Sequence, residues 1–265
     1  MASPLKEPQS LPAELRTYLA ELVRRTHDVC GQRLVSIFAV GSVALGDYRH
    51  GRSDVDVTVI AGPALSGQAL SELATALAAL ECPAAGLELV LYDSDFAARP
   101  SGAAGFRLNL NCGPLLPYRA DLDPSGAPAF WFVIDRAIAR QSGRLLYGRP
   151  VDQALAAPSH SAQLDAVRAS VRAHAQDEGH LADNQVLNGC RAVVFCRTGR
   201  WFAKSEAAQR LAESDPTVRP LVDEALRSFR RPRTAALPLP PGEVQRFLSW
   251  VREYVDNTGD TQRSS

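Results

Sequence analysis

Residues 38–60 read Phe-Ala-Val-Gly-Ser-Val-Ala-Leu-Gly-Asp-Tyr-Arg-His-Gly-Arg-Ser-Asp-Val-Asp-Val-Thr-Val-Ile. This run predicts a strand ending in Gly41-Ser42, a short helix and loop, then a second strand carrying Asp54 and Asp56. Side chains at i and i+2 of a strand share a face. The two carboxylates therefore project together, while Val55, Val57 and Val59 face the other way. Two hard oxygen ligands side by side suit Mg²⁺, which takes a few carboxylates with water and substrate phosphates. The small Gly41-Ser42 turn lets phosphate approach backbone N–H groups where a helix starts.

Outward from this stretch the chain alternates helix and strand. Residues 1–10, with two prolines, read as a loose tail. Leu11, Leu15, Tyr18, Leu19, Leu22 and Val23 recur at helical spacing and predict an amphipathic helix over 11–29, closed by Gly31. A strand Leu34–Val40 follows. Beyond the opening stretch, Gly62-Pro63 stops the second strand and Ser66 caps an alanine-rich helix running to about Leu80. Leu87–Tyr92 is a short apolar strand interrupted by Glu88. Residues 93–105 read as a loop, and Phe106–Asn111 alternates as a half-exposed strand. Residues 113–128 read as an irregular, proline-rich connection. Ala129–Arg140 is a helix, and Leu-Tyr-Gly-Arg-Pro at 146–150 reads as a turn. After a boundary near 150–160 the chain is all helical, with candidates at 162–178, 181–198, 204–213, 217–229 and 241–256. The expected organisation is a domain over 1–155 and a helical one over 156–265.

Composition narrows the function classes. Lysine and arginine total 29 and aspartate and glutamate total 29, so no global field draws the chain to nucleic acid or an anionic membrane. The cysteines, Cys30, Cys82, Cys112, Cys190 and Cys196, are odd in number and lack a Cys-x-x-Cys pair. They read as reduced, mostly buried thiols of a cytoplasmic protein. No stretch is long and apolar enough to span a bilayer. The five histidines are scattered and suggest no metal pair.

Gly-Ser, a gap, then Ser-Asp-x-Asp on an apolar strand resembles the signature of the nucleotidyltransferase superfamily. It is similar in particular to bacterial aminoglycoside adenylyltransferases of the streptomycin/spectinomycin type. The resemblance implies an α+β fold: a nucleotidyltransferase-like mixed-sheet domain followed by a helical bundle, with the site in the cleft between them. It assigns Asp54 and Asp56 to two Mg²⁺ ions, and Gly41, Ser42 and Ser53 to the nucleotide.

Glu88 is the odd residue in its apolar strand. A buried carboxylate without partners costs several kcal/mol or takes up a proton. In the resembling enzymes an acid on the strand after the Asp pair completes the site, as base for the acceptor hydroxyl or as a metal ligand. Glu88 fits either role. Asp93 with Asp95, and Asp121 with Asp123, also have the Asp-x-Asp spacing. They lack a strand and a Gly-Ser partner and read as turn or surface residues.

Residues 186–211 resemble the same enzymes in their helical part: Leu187-x-x-x-Arg191, the Thr198-Gly199 turn, and Lys204 before the next helix. Asn184, Asn188 and Arg191 form a polar stripe opposite Val186, Leu187, Cys190, Val193 and Val194. Arg191 offers phosphate a planar fork and Lys204 a point charge. The chain also departs from the pattern. Relatives carry a tryptophan just after the strand that ends here at Asn111, whereas the nearest here is Trp131. They place an acid where Leu181 stands, with Asp183 two residues on. Phe229 stands near a nucleotide-side tyrosine and reads as core.

The resemblance implies Mg-dependent transfer of AMP from ATP to a hydroxyl of an aminoglycoside-type acceptor, whose positive charge Glu88 and Asp183 would meet. The alternatives are the same transfer to another hydroxyl compound or a protein side chain, and a non-catalytic nucleotide-binding module. Oligomeric state is not legible.

Overall fold

The computed structural model describes residues 11–63, 65–176 and 181–258. The expected tail at 1–10 lies outside them, as does His180. The elements are α1 (Ala13–Cys30), β1 (Leu34–Ala39), α2 (Gly41–Ala44), β2 (Val55–Ala61), α3 (Gly67–Ala78), β3 (Leu87–Asp93), α4 (Ser94–Ala97), β4 (Phe106–Gly113), β5 (Leu116–Asp121), α5 (Ala129–Ser142), β6 (Arg144–Gly148) and α6 (Val151–Ala154). The helices α7 (His160–Gln176), α8 (Ala182–Thr198), α9 (Lys204–Ser214), α10 (Arg219–Phe229) and α11 (Pro241–Asn257) follow.

One six-stranded sheet, ordered β5-β4-β3-β2-β1-β6, carries the first half. Only β2 and β3 pair in parallel. Their crossover is α3, which Ser66 caps by accepting the Ala69 N–H at 3.1 Å. The strand pleat sorts the side chains. Val55, Val57, Val59, Leu87, Leu89, Leu91, Leu108 and Leu110 share a core with α1 and α3. Ile60, Val90, Tyr92 and Phe106 on the opposite face join Phe132 and Ala139 of α5. Seven residues separate Phe132 from Ala139, so one stripe of α5 meets the sheet. Val133, Ile134, Ala137 and Ile138 on another stripe enter the helical core. There α8 is central, burying Val186, Leu187, Cys190, Val193, Val194 and Phe195 against its neighbours.

Three stretches differ from the sequence reading. Within 113–128, residues Leu116–Asp121 form the edge strand β5, with Arg119 opposite Asn111. Pro117 hid it, yet an edge strand tolerates a residue with no N–H because one side needs no ladder bond. The expected turn at 146–150 overlaps β6, which pairs with β1 at the other edge. Its Gly148 has φ +82°, and a Cβ there would stand 2.0 Å from the Val35 carbonyl oxygen. Close backbone approach, rather than turning, is what this glycine provides. A shorter helix, α4, also lies in the expected loop at 93–105, capped by the Asp93 side chain on the Asp95 N–H.

Candidate active site

Sheet register assembles the site. Across the face that meets α5, Asp56 lies beside Glu88, Glu88 beside Asn111, and Asn111 beside Arg119. Along the neighbouring row run Thr58, Val90, Asn109 and Asp121. Asp56 and Glu88 therefore meet because β2 and β3 are parallel and in register. Asp54 sits one residue ahead of β2, in the approach to the strand rather than within it.

Gly41 opens α2 with φ +52°, and a Cβ there would lie 1.8 Å from Asp56 Oδ2. Only glycine lets the turn and the carboxylate come so close. The Ser42 backbone amide lies against Asp56 and partly offsets the rise of its carboxyl. Ser42 Oγ and Asp54 Oδ1 are buried with no protein partner. A buried polar atom without a partner is costly, so these two atoms are suited to a bound group. The donor set, two carboxylates with an unengaged oxygen beside a phosphate-sized turn, is the chemistry Mg²⁺ takes. Among the described residues no three carboxylate, imidazole or thiolate groups converge as a ready metal cluster. The fit is thus to carboxylate pairs completed by substrate oxygens, not to an all-protein cage.

Burial shapes the electrostatics. Desolvation, then Asp56 and Asp54, raise the Glu88 carboxyl to about 8. Desolvation and Asp54 raise Asp56 to about 6. Facing them from the helical half are Arg191 and Lys204. Desolvation, then Arg191, lowers Lys204 to about 8, and its Nζ donates to Asn184 Oδ1 at 3.2 Å. Burial also lowers Arg191, against the pull of Asp135, Asp56 and Asp47. Negative and positive groups thus face each other across the cleft, and desolvation disfavours the charged form of each.

The remaining expected residues have other surroundings. Ser53 Oγ accepts the Arg49 N–H at 3.0 Å and so closes the loop before Asp54. Asp183 does not face an acceptor. It is buried in an ion pair with Arg52 at 2.7 Å, with side chains 0% and 2% exposed, and it accepts the Ser228 hydroxyl. The Arg52 guanidinium also lies over the Phe229 ring, 4.9 Å from its centroid. This network clamps the 49–53 loop to α8 and α10. Asp183→Ala would leave Arg52 buried and unpaired, and we expect thermal unfolding to show a loss of about 3–5 kcal/mol.

Three residues were not singled out in the sequence. Asp47 accepts from the Ser205 N–H (3.1 Å) and hydroxyl (2.9 Å), fixing the start of α9 beside Lys204. Arg233, in the segment between α10 and α11, donates to Asp54 Oδ2 and to the Arg52 carbonyl. Asp135 on α5 is half-buried and lies within electrostatic reach of Asp56 and Arg191. An acid after Phe-Trp-Phe-Val-Ile was the available signal for Asp135. Arg233, in a loop after Pro232, gave none. A cavity of about 310 Å³ lies over Asp56, Glu88, Asn109 and Asn111, with Trp131 and Asp135 on its α5 wall.

Sequence comparison finds no protein family that matches the chain and no curated protein similar to it. The solved structures do contain similar folds. One is the spectinomycin adenyltransferase AAD(9) from Enterococcus faecialis, whose crystal structure holds ATP and spectinomycin. The two are 16% identical, with a TM-score of 0.69 over 91% of this chain and 99% of the other. The chain therefore has an α+β fold, a mixed sheet with a helical C-terminal part, that resembles the fold of this spectinomycin adenyltransferase.

Proposed function

We propose that this chain is a Mg-dependent nucleotidyltransferase that moves AMP from ATP to a hydroxyl of an aminoglycoside-type acceptor and releases pyrophosphate. The observation that carries the reading is the registered Asp56–Glu88 pair beside the Gly41 turn, faced by Arg191 and Lys204. The ATP and spectinomycin in the AAD(9) structure support it by analogy of fold.

Asp54 and Asp56, with Glu88 at their side, would hold the two Mg²⁺ ions. When bound, these supply charge neutralisation at the attacking oxygen and along the triphosphate. Arg191, Lys204 and Ser42 bind the outer phosphates, with Gly41 giving room and Ser53 setting the loop. Glu88 takes the proton as the acceptor oxygen bonds to the α-phosphorus. The bond from that phosphorus to the bridging oxygen breaks, and pyrophosphate leaves. Rate comes from positioning and charge complementarity. In this reading residues 1–155 carry the chemistry and 156–265 close over the nucleotide, with α5 packed against both cores. We place the protein in the cytoplasm. No helix among the described residues is long and apolar enough to cross a membrane.

The test is pyrophosphate release from Mg·ATP with streptomycin or spectinomycin, and a mass gain of one AMP on the acceptor. ATP hydrolysis alone, or modification of other hydroxyl compounds only, would reject the acceptor class. Nucleotide binding without any release would reject the enzyme. Charged hydrogen bonds contribute about 1.5–3 kcal/mol each, so Lys204→Ala should raise the ATP KM roughly 10- to 100-fold with little change in acceptor KM.

A further inference from the structure

The cavity over the sheet holds one carboxylate that the transfer chemistry leaves unused. Asp56 belongs to the phosphate end and Glu88 takes the proton. Asp121, at the rim, is paired with Arg119 at 2.6 Å. Asp135 lines the same cavity from α5, half-buried. Among the described residues no hydrogen bond or ion pair engages it. Its neighbour in sequence, Arg136, points away. That guanidinium donates to the Ser101, Ala103 and Ala104 carbonyls and lies over the Tyr92 and Phe96 rings. Arg191 pulls on Asp135 electrostatically without forming an ion pair.

A carboxylate held half-buried in a cavity without a partner is partly desolvated at a cost, and it is satisfied when a cation enters. The rest of the cavity fits a particular kind of cation. One helical turn before Asp135, Trp131 is 37% exposed and presents an indole at the cavity wall. Such a ring offers an apolar plate with little conformational freedom to lose. Asn109 and Asn111 project from the floor and bring amide donors and acceptors for hydroxyls. Glu88 lies on that floor too, so a hydroxyl carried by the same ring reaches the base.

We propose that Asp135 is the residue that selects the acceptor, anchoring an ammonium or guanidinium group of a polyhydroxylated ring that rests against Trp131. This rests on the transferase reading, whose acceptor it specifies by residue.

The experiment is calorimetric titration of the nucleotide-free protein with streptomycin, spectinomycin and uncharged myo-inositol, in wild type, Asp135→Asn and Trp131→Ala. Mg·ATP titration and a thermal melt of each variant run alongside. Wild type should bind a cationic compound and not inositol. Asp135→Asn should weaken that binding about 10- to 100-fold, with ATP affinity changed less than about threefold. Two results overturn the proposal: no binding of either cationic compound to wild type, or a loss in Asp135→Asn that falls on ATP instead. The second would make Asp135 a positioning partner of Arg191. Turnover separates this proposal from the one it rests on. Asp135-dependent binding without pyrophosphate release rejects the transferase and keeps the cation site. Release with an unchanged acceptor KM in Asp135→Asn does the reverse.

Discussion

Asp56→Asn should lower kcat/KM for pyrophosphate release by about 10³-fold or more, equivalent to roughly 4 kcal/mol of transition-state stabilisation. Asparagine keeps the size of the side chain, so the Gly41 contact and the Arg191 and Lys204 grip on phosphate persist. What it removes is the negative charge that a divalent ion requires. Two further readouts tie the loss to that cause. Mg²⁺ should raise the melting temperature of wild type in the presence of ATP and should do so far less in the variant. The nucleotide-free variant should be no less stable than wild type at pH 8, because Asp56 is a buried acid raised to about 6 by desolvation and Asp54. Turnover within tenfold of wild type would remove Asp56 from the chemistry.

Glu88→Gln should move activity and stability in opposite directions. Loss of a general base is worth about 10²- to 10⁴-fold in kcat. For stability, the Glu88 carboxyl stands at about 8 in the folded protein, against 4.5 for a free glutamate side chain. Between those two pH values the folded chain holds a proton that the unfolded chain has lost. Stability therefore falls as pH rises from about 4.5 towards 8. Glutamine cannot ionise and escapes this loss. The variant should melt higher than wild type at pH 8.5, by about 1–2 kcal/mol or roughly 2–8 °C, with the gap closing at pH 4.5. The rising limb of the wild-type profile of kcat/KM against pH, set by this acid, should flatten in the variant. A stability loss at pH 8.5 together with lost activity would mean that Glu88 is structural.

These two residues illustrate how much was legible in the sequence. Asp56 announces itself through the strand period: valines on one side, acids on the other. Glu88 is visible as an acid in an apolar strand. The Arg191 stripe, the Ser66 cap and the Gly199 stop, which adopts φ +67°, are likewise local signals with local physical causes. Local patterns of this kind also placed the five long C-terminal helices.

What the sequence did not disclose depends on contacts between distant segments. Pairing across the sheet turned the proline-bearing 116–121 stretch and the 144–148 stretch into edge strands, because a ladder can override weak strand propensity. Asp183 had the local look of an acid at a helix start, and tertiary packing buried it against Arg52 and Ser228. Arg233 carries no local pattern that marks it for the site, and the acid after Phe-Trp-Phe-Val-Ile does not by itself place Asp135 there. They gain their significance only because chain folding sets one beside Asp54 and the other over a cavity. The sequence by itself determined the strand–turn–strand chemistry and the order of elements, since periodicity and capping act within a few residues. Only the tertiary structure decided which acids stand unpaired and which are neutralised, since solvation and charge pairing are set by neighbours far away along the chain.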